Sequence, residues 1–341
     1  MYIKNKNKVF IIAEAGVNHN GKLEYALEMV KLAKKAGADC IKFQAFTLNT
    51  LVSNQAKSTE YQKKNTGVSE QKNILKTLIL KRSDFVKIKN YCDKLNIEFL
   101  CTAFDNYWLD FFISIGMNKI KVPSGEITNF NLLEHIASKK LPVILSTGMS
   151  NKKEIKAALS IIKRKLKKKY ISLLHCTSLY PAPDYSLNLL AINTMRKEFG
   201  LDVGYSDHSS NFLASIAAVS MGAHIIEKHF TLNKKLSGPD HKASLNIKQL
   251  NLFINDIRSL EIWLGDGNKI STVAEKSVAK LVRRSWHATK NINKNQKISK
   301  NNVTLLRPEI GISGTYNIIG KLAKKNILKG NAIFQNDLFK K

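Results

Sequence analysis

From Val9 to Thr231 the chain alternates two kinds of segment, and this alternation limits its fold more than any other feature. Short runs rich in Val, Ile and Phe recur eight times: VFIIAEAG (9–16), CIKFQAF (40–46), EFLCTAF (98–104), KIKVPSGE (119–126), PVILSTG (142–148), ISLLHCTS (171–178), DVGYSDH (202–208) and HIIEKHFT (224–231). Continuous apolar runs of this length read as parallel strands covered on both faces. Stretches of helical period separate them. In LEYALEMVKLAKKAGA, Leu23, Ala26, Leu27, Val30 and Ala33 form one stripe, and Gly37 ends it as a C-cap would. Eight strand–helix units in succession predict an α/β chain folded as a (β/α)8 barrel, a TIM barrel. A doubly wound sheet is the competing topology, but no GxGxxG follows the first run.

With 341 residues, 44% of them hydrophobic, the chain can bury the core of one large domain and a smaller one. Cys40, Cys92, Cys101 and Cys176 are widely spaced, with no CxxC pair, so neither a disulfide framework nor a thiolate metal site is expected and a cytoplasmic location is. MYIKNKNKVF enters the first strand without an apolar leader, and no run approaches a membrane span. A net charge of +29 invites a nucleic-acid reading. Its distribution argues against one: lysines are scattered over nearly every helical stretch, the densest run is KRKLKKK (163–169), and no basic-aromatic interleaving occurs. Neither nucleic acid nor a membrane is expected as a partner, although the field would attract a small anion.

The eight runs begin apolar and almost all end in polar or ionisable residues: Glu14, then Asn18 and His19; Lys42 and Gln44; Thr102 and Asp105; Lys121, Ser124 and Glu126; Ser146 and Thr147; His175, Thr177 and Tyr180; Ser206, Asp207 and His208; Glu227, Lys228 and His229. In a barrel these ends converge on the face where barrel enzymes hold their chemistry. A lone strand-end histidine is usually a hydrogen-bonded structural group. A whole rim of polar ends is harder to explain structurally, because a buried ionisable group without a partner is costly.

Lys42 and Lys121, ringed by the hydroxyls of Thr102, Ser124, Ser146 and Ser206, form a cradle for a small dianion such as a phosphate. A Schiff-base lysine is the competing chemistry, and two lysines among serines favour the anion. His208 and His229 end adjacent strands and could share one divalent metal in an open site; the alternative is that each imidazole serves a neighbour. Alternation puts Glu227 and His229 on one face of the eighth strand and turns Lys228 outward.

IIAEAGVNHNG, IKFQAF, KVPSGEITN, LSTGM, LLHCTSLYPAP, GYSDHS, IEKHFT and GPDHKASL follow the order and approximate spacing of the sialic acid synthase family, which the chain resembles over essentially its whole length. Residues past Gly267 resemble the small antifreeze-like (SAF) domain that ends these synthases. The expected division is a barrel over 1–267, a linker over 268–282 and the SAF domain over 283–341.

The resemblance implies an enzyme that condenses phosphoenolpyruvate with the aldehyde of an N-acetylated mannosamine-type sugar, giving a nonulosonic acid and phosphate by C–O cleavage. It implies that Lys42, Thr102, Lys121, Ser124, Ser146 and Ser206 hold phosphoenolpyruvate. His208 and His229 match metal ligands for Mn2+, with Mg2+ or Co2+ as alternatives. Glu14 and Glu126 match acidic positions near the reacting carbons, and Gln44, Tyr180 and Asp240 match sugar contacts. Arg307 matches an arginine that the SAF domain of one subunit places over the other's active site, which implies a domain-swapped homodimer. The third strand carries CTAF where STPF is usual, Ser178 stands where some members have asparagine, and RPEIGI replaces RPGNGI. These departures leave the sugar open among precursors of N-acetylneuraminate, legionaminate and, less favoured, pseudaminate. A non-catalytic carbohydrate-binding protein on the same fold is the remaining alternative.

Overall fold

The computed structural model describes residues 8–339; most of the N-terminal stretch MYIKNKNKVF, and the last two residues of the expected SAF domain, lie outside them. The chain divides into two compact units, one up to Gly265 and one from Asp266 on.

The first unit is the expected barrel. Its strands are β1 (Phe10–Gly16), β2 (Cys40–Ala45), β3 (Glu98–Ala103), β4 (Ile120–Val122), β5 (Val143–Ser146), β6 (Ile171–Cys176), β7 (Asp202–Asp207) and β8 (Ile225–His229). All neighbours are parallel, and the ladder runs β3-β2-β1-β8-β7-β6-β5-β4. Pairing of β1 with β8 closes the sheet, while β3 and β4 pack side by side as its seam. The helices lie between strands in sequence. In Leu23–Ala36 the buried face is Ala26, Met29, Val30, Ala33 and Ala36, and Gly37 takes φ 90°, with its N–H reaching the carbonyls of Ala33 and Lys34. The helix Lys152–Lys163 starts on a capping box, with Asn151 accepting from the Glu154 amide and Glu154 accepting from the Asn151 amide.

One strand is shorter than its sequence suggests. The fourth run reads as extended through Glu126, but β4 stops at Val122 and Ser124–Glu126 forms a 3-10 turn. Pro123 has no N–H to continue the ladder.

Register decides which side chains meet inside the barrel. Glu14 lies opposite both Lys42 and His229, Gln44 opposite Thr102, and Ser206 opposite Glu227. Ile12, Leu100, Ile144 and Leu174, all fully buried, share the inner face by alternation and pack around this polar set. Lys228 turns the other way, as alternation requires. Its ammonium donates to the carbonyls of Ser209 at 2.7 Å and Asn211 at 2.6 Å and pairs with Asp207 at 3.2 Å. Asp207 in turn accepts from Ser215 Oγ at 2.6 Å and from the Ser209 amide. The ends of β7 and β8 are thus tied together from behind by a buried, fully bonded ion pair.

The connection from β2 to the helix Arg82–Leu95 holds three short helices, Leu48–Leu51, Glu60–Thr66 and Gln71–Lys76. Val17 and Phe46, just past the ends of β1 and β2, pack against Ile74 and Leu78 in a small separate core. This insertion is therefore anchored at the strand-end face.

In the second unit a helix, Val273–Val282, begins on a capping box of Thr272 and Glu275 and lies within the segment expected as a linker. β9 (Ser285–Ala288) and β10 (Val303–Leu306) pair antiparallel, and the rest is largely turns around a core that includes Ile292, Ile298, Ile312, Ile318 and Ile333. Among the described residues no helix is long and apolar enough to cross a membrane.

Candidate active site

Four ionisable side chains meet inside the barrel, and their mutual distances make them one electrostatic object. Lys42 Nζ lies 2.7 Å from Glu14 and 3.7 Å from Glu227, and Lys121 Nζ lies 3.5 Å from the same Glu227 carboxylate. Lys42 also donates to Thr102 Oγ1 at 3.3 Å, Gln44 donates to Glu14 at 2.9 Å, and Ser206 Oγ donates to Glu227 at 3.0 Å. All four charged groups are almost wholly buried. Burial would raise the Glu227 carboxyl, but Lys121 and Lys42, then the two imidazoles, hold it down to about 2. Burial lowers Lys42 less than Glu14 and Glu227 raise it, so it stays protonated. For Lys121 burial prevails over Glu227, and its ammonium is pulled down. Glu14 is raised, by burial first, against the pull of Lys42.

Beside this cluster stand His208 and His229, with ring centroids 5.6 Å apart. His208 Nδ1 donates to the Thr177 carbonyl at 2.6 Å, which fixes the tautomer and leaves the Nε2 lone pair available. Nε2 lies 3.4 Å from Ser206 Oγ, whose proton goes to Glu227. His229 Nδ1 is buried with no hydrogen-bond partner. Burial lowers both imidazoles, His208 to about 4 and His229 well below its ordinary value, so both are neutral at pH 7. Neutral rings, one oriented by a carbonyl and the other with an unsatisfied buried nitrogen, are what a divalent metal requires of its ligands. Among the described residues no group of three or more His, Cys, Asp or Glu is arranged to hold a metal, so other coordination positions would fall to water and substrate.

Tyr180 packs over these rings, 4.2 Å from His208 and edge-on to His229 at 5.7 Å. Asp240 is buried nearby, and burial followed by the charge of Glu14 lifts its carboxyl to about 7. On the far side of the rim, Ser124 and Ser178 hydroxyls lie 3.2 Å apart, and the Ser146 hydroxyl is buried against the Cys176 thiol. Gly148 sits between them at φ 41°, its amide donating to Cys176 Sγ; a Cβ there would come within 2.4–2.5 Å of Ser124 and Ser178. No side chain fits at that position without displacing the hydroxyls. The arrangement can hold a small dianion on two ammoniums and a ring of hydroxyls, with two neutral imidazoles beside it.

Residues 29–269 match the NeuB family, and residues 283–338 match the SAF domain. The chain belongs to the NeuB family. A relative from Legionella pneumophila, an N,N'-diacetyllegionaminic acid synthase, is 45% identical over 95% of this chain and 93% of its own. A Campylobacter jejuni pseudaminic acid synthase is 34% identical over 99% of each chain. Among solved structures, the N-acetylneuraminic acid synthetase of Leptospira borgpetersenii in complex with citrate superposes with a TM-score of 0.72 at 35% identity, covering 82% of this chain and 94% of its own.

Of the residues expected in this NeuB site, the fold gathers Glu14, Lys42, Gln44, Thr102, Lys121, Ser206, His208, His229 and Tyr180 into one contact network. Ser124 and Ser146 line the adjoining wall. Glu126 lies on the turn after β4 and accepts from Asn129 Nδ2 at 2.7 Å, outside that network. Arg307 is exposed in the second unit, just after β10. His175, one of the polar strand ends, faces away from the site: it bonds the Leu187 carbonyl at 2.7 Å and packs on Tyr205. Sequence reasoning did not assign a role to Glu227, which bridges both lysines, although alternation already placed it on the face of His229. It also did not single out Tyr61, whose ring stacks on Tyr180 at 5.1 Å.

Proposed function

We propose that this NeuB-family chain is a transferase that joins phosphoenolpyruvate to an N-acylated amino-sugar aldehyde, with water, to give a nonulosonic acid and phosphate. The observation that carries the reading is the pair of buried lysines bridged by Glu227 beside two neutral imidazoles. High identity to legionaminate synthases over nearly the whole chain favours 2,4-diacetamido-2,4,6-trideoxymannose as the sugar and N,N'-diacetyllegionaminate as the product.

Lys42 and Lys121, with Thr102, Ser124, Ser146 and Ser206, hold the phosphate and carboxylate of phosphoenolpyruvate so that C3 faces the aldehyde. His208 and His229 would hold a divalent ion, Mn2+ in this reading, which would supply Lewis-acid polarisation of the aldehyde. Gln44, Tyr180 and Asp240 orient the sugar. As the C3–aldehyde bond forms, the aldehyde oxygen needs a proton and C2 becomes electrophilic. Water adds at C2 and releases one. Glu14, whose carboxyl is raised by burial, is suited to carry that proton, and Glu126 is the second candidate. Breaking the C2–O bond then releases phosphate and leaves the keto acid. We assign the barrel to catalysis and place Arg307 of the SAF domain over the site of a second copy, in a domain-swapped dimer.

The test is turnover. Protein with Mn2+, phosphoenolpyruvate and the diacetamido sugar should release phosphate and form the nine-carbon acid, and label in the bridging oxygen of phosphoenolpyruvate should leave with phosphate. Silence with every amino sugar would remove the synthase reading. The shared site has its own test. His229→Ala should lose bound Mn2+ and at least a thousandfold in kcat, and Arg307→Ala should lose use of the sugar. Refolded together, the two inactive variants should regain activity, because a mixed dimer contains one intact composite site. No recovery would argue against the swapped arrangement.

A further inference from the structure

The geometry points to Cys176 as a positioning residue for the phosphoenolpyruvate cradle: its sulfur holds the turn after β5 against β6 and so sets where the hydroxyls of Ser124, Ser146 and Ser178 stand. This inference rests on the synthase reading and deepens it.

The other strands each bring a buried polar group to the site, from Glu14 on β1 to Glu227 on β8, and register shows what β6 brings. Cys176 pairs with Ser206 of β7, and Leu174 pairs with Ser146 of β5. Alternation turns Leu174 and Cys176 inward and His175 outward. The thiol is buried among the cradle residues, and burial raises it more than Lys121 lowers it. It is therefore neutral where a dianion is to bind.

What the sulfur touches is the turn that follows β5. Two successive residues pin that turn to β6. Thr147 donates to the Leu174 carbonyl from both its amide and its Oγ1, each at 3.0 Å, and the Gly148 amide donates to Cys176 Sγ at 3.2 Å. Gly148 is wedged between the Ser124 and Ser178 side chains, which a Cβ would meet at 2.4–2.5 Å. Any shift of the Gly148 backbone is thus passed to those two hydroxyls. The Ser146 hydroxyl, at the end of β5, is buried against the same sulfur and makes no well-formed hydrogen bond among the described residues. Buried polar groups are ordinarily bonded, so an oxygen left open in this wall is one that a bound anion would complete. The thiol, a weak acceptor, fixes the turn without capturing the proton that Ser146 offers to that anion.

The test measures KM for phosphoenolpyruvate and kcat, with Mn2+ and saturating 2,4-diacetamido-2,4,6-trideoxymannose. Alanine and serine are close in size, so comparing them separates the acceptor from packing. Cys176→Ala removes the partner of the Gly148 amide and should raise this KM by roughly tenfold, the scale of one net hydrogen bond. The kcat and the KM for the sugar should stay at wild-type values, because the cradle grips ground and transition states alike. Cys176→Ser restores an acceptor and should bring the KM back to within about threefold of wild type. Cys176→Val, which fills the space without an acceptor, takes the place of the alanine variant if that one fails to fold, and should raise the KM in the same way. A wild-type KM without the acceptor, an equal rise in the serine variant, or a fall in kcat at unchanged KM would each overturn the inference while leaving the synthase reading intact. Absence of turnover by wild type with every amino sugar would instead remove both.

Discussion

Glu227→Gln is expected to lower the stability of the substrate-free protein by about 3–5 kcal/mol, the usual cost of removing one partner from a buried ion network. Lys42 would keep Glu14 at 2.7 Å, but Lys121 would lose its one ion-pair partner among the described residues. The amide preserves the shape of the side chain, so the loss reports charge rather than packing. Urea denaturation with and without phosphoenolpyruvate checks it. The variant's midpoint should fall without ligand and recover with it, since a bound dianion resupplies negative charge; at one hundred times Kd it would return about 2.7 kcal/mol. An unfolding free energy within about 1 kcal/mol of wild type would mean that Lys121 is not held by Glu227 and that the anion cradle is wrongly drawn.

The second large effect is acid sensitivity. Burial lowers His19, His208 and His241 to about 4 from an ordinary 6.5. A group whose folded pKa is depressed binds its proton more readily unfolded, so it costs nothing above 6.5 and destabilises as pH falls from 6.5 toward 4. Three such groups remove about 5 kcal/mol between pH 7 and 5, comparable to the entire stability of an ordinary domain. His229, lowered further, adds to this. Chemical denaturation at pH 7, 6 and 5 should show the unfolding free energy dropping steeply over that interval. His19 and His241 have a structural cause for neutrality: His241 is bonded to Thr231 Oγ1 at 2.7 Å and Asn20 Oδ1 at 3.0 Å, and His19 accepts from the Gly21 amide while its Nε2 is buried without a partner. A flat profile from pH 7 to 5 would show that these imidazoles open to water at little cost.

The barrel was legible because two periodicities, strand and helix, recur eight times, and the runs from VFIIAEAG to HIIEKHFT each contain one strand. Where a run outlasted its strand, as at β4, the cause was a single proline. The set of side chains that meets inside the barrel was legible by residue type, as lysines, hydroxyls and imidazoles at strand ends. What remained hidden depends on distance. Nothing in HIIEKHFT says that Glu227 reaches lysines on β2 and β4, because those partners lie far away in sequence. Tyr61 was hidden for another reason: it lies in a long connection without barrel periodicity, and its approach to Tyr180 depends on how that insertion folds back. His175 shows the converse, since alternation from Cys176 already turns it away from the site.

The stretch Glu227–Lys228–His229 has an evolutionary consequence. Its first residue answers to the lysines inside the barrel, its second to Asp207 outside, and its third to the imidazole of the neighbouring strand. A point mutation at Glu227 or Lys228 strands a buried charge in one layer, and a one-residue slip exchanges the two layers' partners at once. Descendants of this chain can therefore alter the end of β8 only by several coordinated changes.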